Sequence, residues 1–148
     1  MIVLCGFGIG SSESVKLRMR VRELTALSEA FSMMKSAVSY SSGDMRHLLH
    51  VCRENKFIAG ISEEHDPVTA WKCAANRFFS HAADKVFAES FIDGFGKSDV
   101  NGTVAHIALF EDKLRQRLQK AEREVAEKGR LYTVLGVFFG TAAALLLI

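Results

Sequence analysis

Side chains able to do chemistry gather at two places in this chain. His47, His50 and Cys52 lie within six residues, and His47 and His50, three apart, share one face of a helix. Two imidazoles and a thiolate are three of the four ligands that structural zinc takes. Spacing supplies no fourth, and Cys52 falls on an apolar stripe with Leu48 and Leu49, so packing is the stronger reading. Glu63, Glu64, His65 and Asp66 form a polar knot that could hold a cation or move protons. Directly before Pro67, it reads instead as a solvated loop ending in a helix cap. Cys73 sits one turn from Trp71 and Phe78, in surroundings expected to bury a thiol and leave it inert. The run GFGIG at 6–10 imitates part of a dinucleotide fingerprint but has no preceding strand, no correctly spaced third glycine and no βαβ unit after it. There is no P-loop, G-x-S-x-G, H-E-x-x-H or paired C-x-x-C. The sequence therefore points to no catalytic residue, no cofactor and no metal.

Function must then lie in the elements themselves. Residues 131–148, LYTVLGVFFGTAAALLLI, carry no charge and no proline. As a helix they reach about 27 Å, close to the hydrocarbon thickness of a bilayer. A lone apolar span in lipid must be helical, because its backbone groups can pair only within the segment. Lys128 and Arg130 precede it and Tyr132 lies in its first turn, where they suit the headgroup level. The expectation is a C-terminal transmembrane helix. Residues 1–12, MIVLCGFGIGSS, are also uncharged but about half the length a span needs. They read as a partial N-terminal membrane helix whose true start lies about ten residues upstream. Gly6 and Gly10, and again Gly136 and Gly140, stand at GxxxG spacing, which lets membrane helices approach closely.

Between these ends lies the charged middle, 13–130, which holds all 19 Lys and Arg residues. One proline and long charged runs argue for an all-α helical bundle. Leu17, Val21, Leu24, Leu27, Phe31, Met34 and Val38 recur at three- and four-residue steps, marking one stripe of a long helix that runs on from the head and ends near Tyr40. Residues 41–44, SSGD, read as a turn, with Asp44 capping a short helix over 45–55 that faces Leu48, Leu49 and Cys52 inward. Residues 56–65 read as a connector. Asp66 and Pro67 open a helix with Val68, Trp71, Ala75, Phe78 and Phe79 inside. A further helix over 84–95 presents Val86, Phe87, Phe91 and Phe95, and Gly96 stops it. Asp99 caps the last helix. There Val104, Ile107, Glu111, Leu114, Leu118, Ala121 and Val125 make a coiled-coil-like stripe, broken only by Glu111, that should pack on the first long helix.

A net charge of +2, with basic and acidic residues interleaved, is too weak for a nucleic-acid partner. The three cysteines suit a reducing compartment. Seven basic residues fall between Lys113 and Arg130, and four more between Lys16 and Arg22. By the positive-inside rule both flanks belong to the cytoplasm, so the bundle is expected to hang on a membrane hairpin at the cell membrane.

Several stretches in order carry a resemblance. CGFGIG precedes a basic amphipathic helix ending AVSY; FGKSDVNGTVAHIALFEDKL follows, and then EKGRLYTVLGVFFG runs into the apolar end. In these the chain resembles the stage III sporulation protein AB family of endospore-forming bacteria over nearly its whole length. The resemblance implies a fold similar to the cytoplasmic helical domain of type II secretion platform (F) proteins. It implies a non-enzymatic place in the secretion-like complex that links mother cell and forespore, in the mother-cell membrane around the forespore. There it would pair with the cytoplasmic ATPase, the stage III AA protein, and with other stage III A proteins; a homo-oligomer is a separate expectation. The alternative left by the residues alone is a membrane-anchored helical adaptor or ligand sensor unrelated to sporulation, with an apolar pocket among Trp71, Phe78, Phe87 and Phe91. A small membrane enzyme is a third class, for which no constellation exists.

Overall fold

A computed structural model of the chain describes residues 2–38, 40, 44–63, 66–97 and 99–146; within its helices the side chains of 2–13, 132, 133, 136, 139, 140 and 143–146 lie outside the description. Among the described residues the chain is all-helical, without strands: α1 (Ile2–Val38), α2 (Met45–Val51), a 3-10 turn (Ile58–Gly60), α3 (Pro67–Phe78), α4 (Ala82–Gly94) and α5 (Val100–Leu146). The expected turn over 41–44 falls mostly outside those residues. Three of the predicted caps form. Asp44 accepts from Arg46 N at 3.1 Å, Asp66 from Thr69 N at 3.4 Å and Asp99 from Gly102 N at 2.9 Å, each meeting a donor that the first helical turn leaves unpaired. Gly96, at φ +73°, takes the left-handed turn after α4 that a side chain would resist.

The two long helices frame the bundle. Lys35 Nζ lies 2.7 Å from Glu111 Oε2, and Arg20 Nη1 lies 3.6 Å from Glu124 Oε2. As numbers fall along α1 they rise along α5, so the helices are antiparallel. Glu111, the polar interruption of the α5 stripe, is explained by its lysine partner. Leu24, Leu27, Phe31 and Met34 of α1 meet Ile107, Leu114 and Ala121 of α5 in a buried seam. On this frame sit α3 and α4, joined by Trp71, whose indole N–H donates to Ala88 O at 2.8 Å. Rings then run in contact through the interior: Phe57 on Trp71 (4.8 Å between centroids), Trp71 on Phe91 (5.2 Å), Phe91 on Phe31 (4.4 Å) and on Phe110 (5.3 Å). The phenylalanine-rich middle builds the core, as its distribution predicts.

The structure corrects the sequence reading at several points. α2 ends at Val51 rather than near Asn55, because Asn55 is buried and used by the fold. Its Nδ2 donates to Ala26 O of α1 at 2.8 Å, while its Oδ1 accepts from Phe57 N and Ile58 N. The supposed connector is thereby a built element that buries Phe57, Ile58 and Ile61. Val68 and Val86, expected inside, are exposed, since α3 packs through Ala70, Trp71, Ala74 and Ala75, and α4 through Phe87, Ala88, Phe91 and Ile92. α4 begins at Ala82, placing Asp84 in its first turn rather than at its start. Cys73 is exposed on the outer side of α3, not buried beside Trp71.

Candidate functional site

The sequence assigns no role to Asp84, and in the structure it is the most deeply buried charge among the described residues. It is fully buried, at 0 % exposure. A buried carboxylate is costly unless paired and hydrogen-bonded. Here three elements supply its partners. Arg20 of α1 donates from Nε to Oδ2 at 2.6 Å and from Nη2 to Oδ1 at 3.2 Å; Arg117 of α5 donates from Nη1 to Oδ1 at 3.3 Å. His81 Nδ1, just before α4, lies 3.8 Å from Oδ2. A carboxylate in the first turn of α4 also suits the positive end of that helix. The hydrogen bond to Asp84 pushes the pKa of Arg20 up, with burial opposing it. One side chain thus ties α1, α4 and α5 together.

Above this ion pair lies an open groove of about 840 Å³ between the three helices. Arg117 stacks over the Phe87 ring (4.5 Å to the centroid), and Lys113 lies over Phe110 (5.2 Å), so both cations are set on aromatic faces. Lys120 lines the same groove, with Val86 as a large exposed apolar residue beside exposed Ala83. Nearby, buried Glu23 accepts from both N and Oγ of Ser80 at 3.0 Å, fixing the link between α3 and α4. The arrangement offers fixed positive charge and an apolar contact.

The fold brings His47, His50 and Glu63, drawn from both sequence clusters, to one cleft and takes Cys52 away from them. Cys52 packs in the core, where burial pushes its thiol pKa up, while His47 and His50 border a separate cleft of about 470 Å³ with Arg53, which pairs with Glu63 at 2.6 Å. Glu64 and His65 lie outside the described residues. Among the described residues no three His, Cys, Asp or Glu side chains gather as a metal site. The aromatic residues proposed to line a ligand pocket are packed against other rings, with Trp71 and Phe91 fully buried. Of the expected interfacial anchors, Lys128 is half-buried and Arg130 exposed on α5. The side chain of Tyr132 and the surroundings of Gly6, Gly10, Gly136 and Gly140 lie outside the description. Among the described residues no helix is long and apolar enough to cross a membrane, although Leu131, Val134, Leu135, Val137 and Phe138 stand exposed in succession at the end of α5.

The family model for stage III sporulation protein AB matches residues 1–148, the whole chain. The chain belongs to the stage III sporulation protein AB family. Membership gives this AB-family protein a role in sporulation, and the family is not a known enzyme family. No curated protein and no solved structure matches the chain significantly. Asp84 was the residue that the sequence could have signalled: it stands on the same helical stripe as Phe87 and Phe91, where a charge must find a partner.

Proposed function

We propose that this protein is a non-enzymatic, membrane-anchored platform of the secretion-like complex between mother cell and forespore. Its bundle faces the mother-cell cytoplasm and docks the cytoplasmic ATPase, the stage III AA protein, together with other stage III A proteins. The observation that carries the reading is the exposed apolar succession Leu131, Val134, Leu135, Val137 and Phe138, on a chain matched from end to end by the sporulation family. A soluble surface rarely leaves five large apolar residues uncovered in series, whereas lipid favours them. The antiparallel pairing of α1 and α5 supports a hairpin anchor, because it directs the uncharged start of one and the uncharged end of the other toward the same pole of the bundle. α5 continues as helix through Gly129, which supports a stiff connection between bundle and anchor.

The test is deletion of the gene in its native host, scoring heat-resistant spores and a late forespore reporter, with carbonate extraction of the tagged protein from mother-cell membranes. A block after engulfment, a dark reporter and a carbonate-resistant protein are expected. Normal spore counts, or release by carbonate, would overturn the reading.

A further inference from the structure

We propose that the groove above Asp84, between α1, α4 and α5, is a docking surface for an acidic amphipathic helix of a partner protein. The proposal rests on the platform reading only in supposing that the bundle's work is to bind proteins. Lys113 and Lys120 stand seven residues apart on α5, about 10.5 Å along the helix axis, with Arg117 between them. Neither lysine forms an ion pair among the described residues. The two arginines are different: Asp84 fixes Arg20 and Arg117, so their guanidinium groups are held in place before any partner arrives. Two arginines on one carboxylate, plus two lysines without an ion pair among the described residues, leave the groove positive even with Glu124 at its end. At 65 % exposure, Val86 gives it an apolar contact, and the Phe87 and Phe110 rings lie beneath the cations.

This pattern selects among occupants. From Phe110 to Glu124 the α5 wall is about 21 Å long, which a helix of about fourteen residues would match. Two carboxylates seven residues apart on such a helix would meet Lys113 and Lys120, and an apolar residue between them would cover Val86. A lipid headgroup fits less well: Lys113 and Lys120 lie eighteen and eleven residues, about 27 and 16 Å of helix, before Leu131, both beyond the roughly 8 Å over which charge acts at physiological salt. A nucleic-acid backbone would meet Glu124 at one end of the groove and gain little from a chain of net charge +2.

The probe is a fluorescein-labelled fourteen-residue peptide of Glu, Ala and Leu, with glutamates seven apart and leucines between, titrated by anisotropy onto the full chain in neutral nanodiscs. A Lys-for-Glu version of the peptide is the control ligand. Lys113→Glu with Lys120→Glu should weaken the acidic peptide about tenfold or more, and added salt should weaken the wild type. Lys56→Glu with Lys97→Glu, an equal charge change on exposed residues away from the groove, should alter it less than twofold. Circular dichroism and Trp71 fluorescence identical to wild type would show that the groove variant is folded. The same two variants placed in the deletion host separate the two proposals. If deletion blocks spore formation, the groove variant should also fail and the control pair should succeed. Equal peptide binding by both variants, preference for anionic vesicles over the peptide, or normal sporulation of the groove variant where deletion blocks it would each refute the groove. Normal sporulation of the deletion would sink the platform reading alone, and the peptide titration would still decide this one.

Discussion

Replacing Asp84 by alanine removes the carboxylate that three helices share, and its cost can be worked from the contacts. Taking one partner from a buried ion pair costs about 3–5 kcal/mol, because the other charge is left uncompensated. Arg20 is only 14 % exposed, which favours a large effect, but it keeps Glu124 at 3.6 Å. Arg117 is about a third exposed and keeps its place on Phe87, so it relaxes into water at little cost. The lower end, about 3 kcal/mol, is therefore expected, equivalent to about 6–12 °C in Tm for a chain of this size. Trp71 is the single tryptophan and is fully buried on Ala88 O, so its fluorescence follows unfolding of the bundle in the full chain held in detergent. Arg117→Met should cost about 1 kcal/mol or less, since that arm of the pair is partly solvated. Arg20→Met combined with Asp84→Leu should recover much of the Asp84→Ala loss, because an apolar pair of similar volume avoids the unpaired charge. A loss below about 0.5 kcal/mol for Asp84→Ala, or a double variant worse than the single, would refute the view that this carboxylate is stabilised by its arginines and needed by them.

Three further outcomes are expected. Asn55→Ala strands the Phe57 and Ile58 amides in the interior and removes the second bond to the Ala26 carbonyl, which keeps its bond within α1, and should lower stability by about 2–3 kcal/mol in urea unfolding; a change within about 0.5 kcal/mol would mean that the 3-10 segment is not held by this side chain. Gly94→Ala would place its Cβ 2.5 Å from His106 Cε1, driving the ring from its hydrogen bond to Phe91 O at 2.9 Å, with an expected loss of about 1–3 kcal/mol. The same substitution should cost almost nothing in a His106→Ala background, and an equal cost in both would remove the explanation. An alkylating reagent should modify exposed Cys73 in the folded protein while buried Cys52, with its raised thiol pKa, reacts only on unfolding; mass spectrometry of the peptides reads both, and early labelling of Cys52 would contradict its burial.

Local chemistry wrote much of the architecture plainly into the chain. Asp44, Asp66 and Asp99 cap helices because a carboxylate can reach the first free amides of its own turn, a decision made within three residues. The stripe from Leu24 to Met34 and that from Ile107 to Ala121 fix which faces of α1 and α5 meet, since periodicity alone sorts apolar from polar. Short segments were less legible. Residues 57–61 have too few turns for a period to show, and Cys73 and Val86 lie only about 100° from buried neighbours, so a small error in the helix phase moves them across the surface.

The sequence by itself determined an all-helical bundle with capped ends, its apolar faces, its uncharged termini and the family to which it belongs. Only the tertiary structure decided that Asp84 is buried, because its partners Arg20 and Arg117 lie 64 and 33 residues away. It also made Asn55 a bracket between α1 and the 3-10 turn, and left Lys113 and Lys120 on the rim of a groove. No local pattern encodes such contacts: the burial of one carboxylate is set by where three separate helices happen to cross, and that geometry exists only once the core around Phe91 has closed.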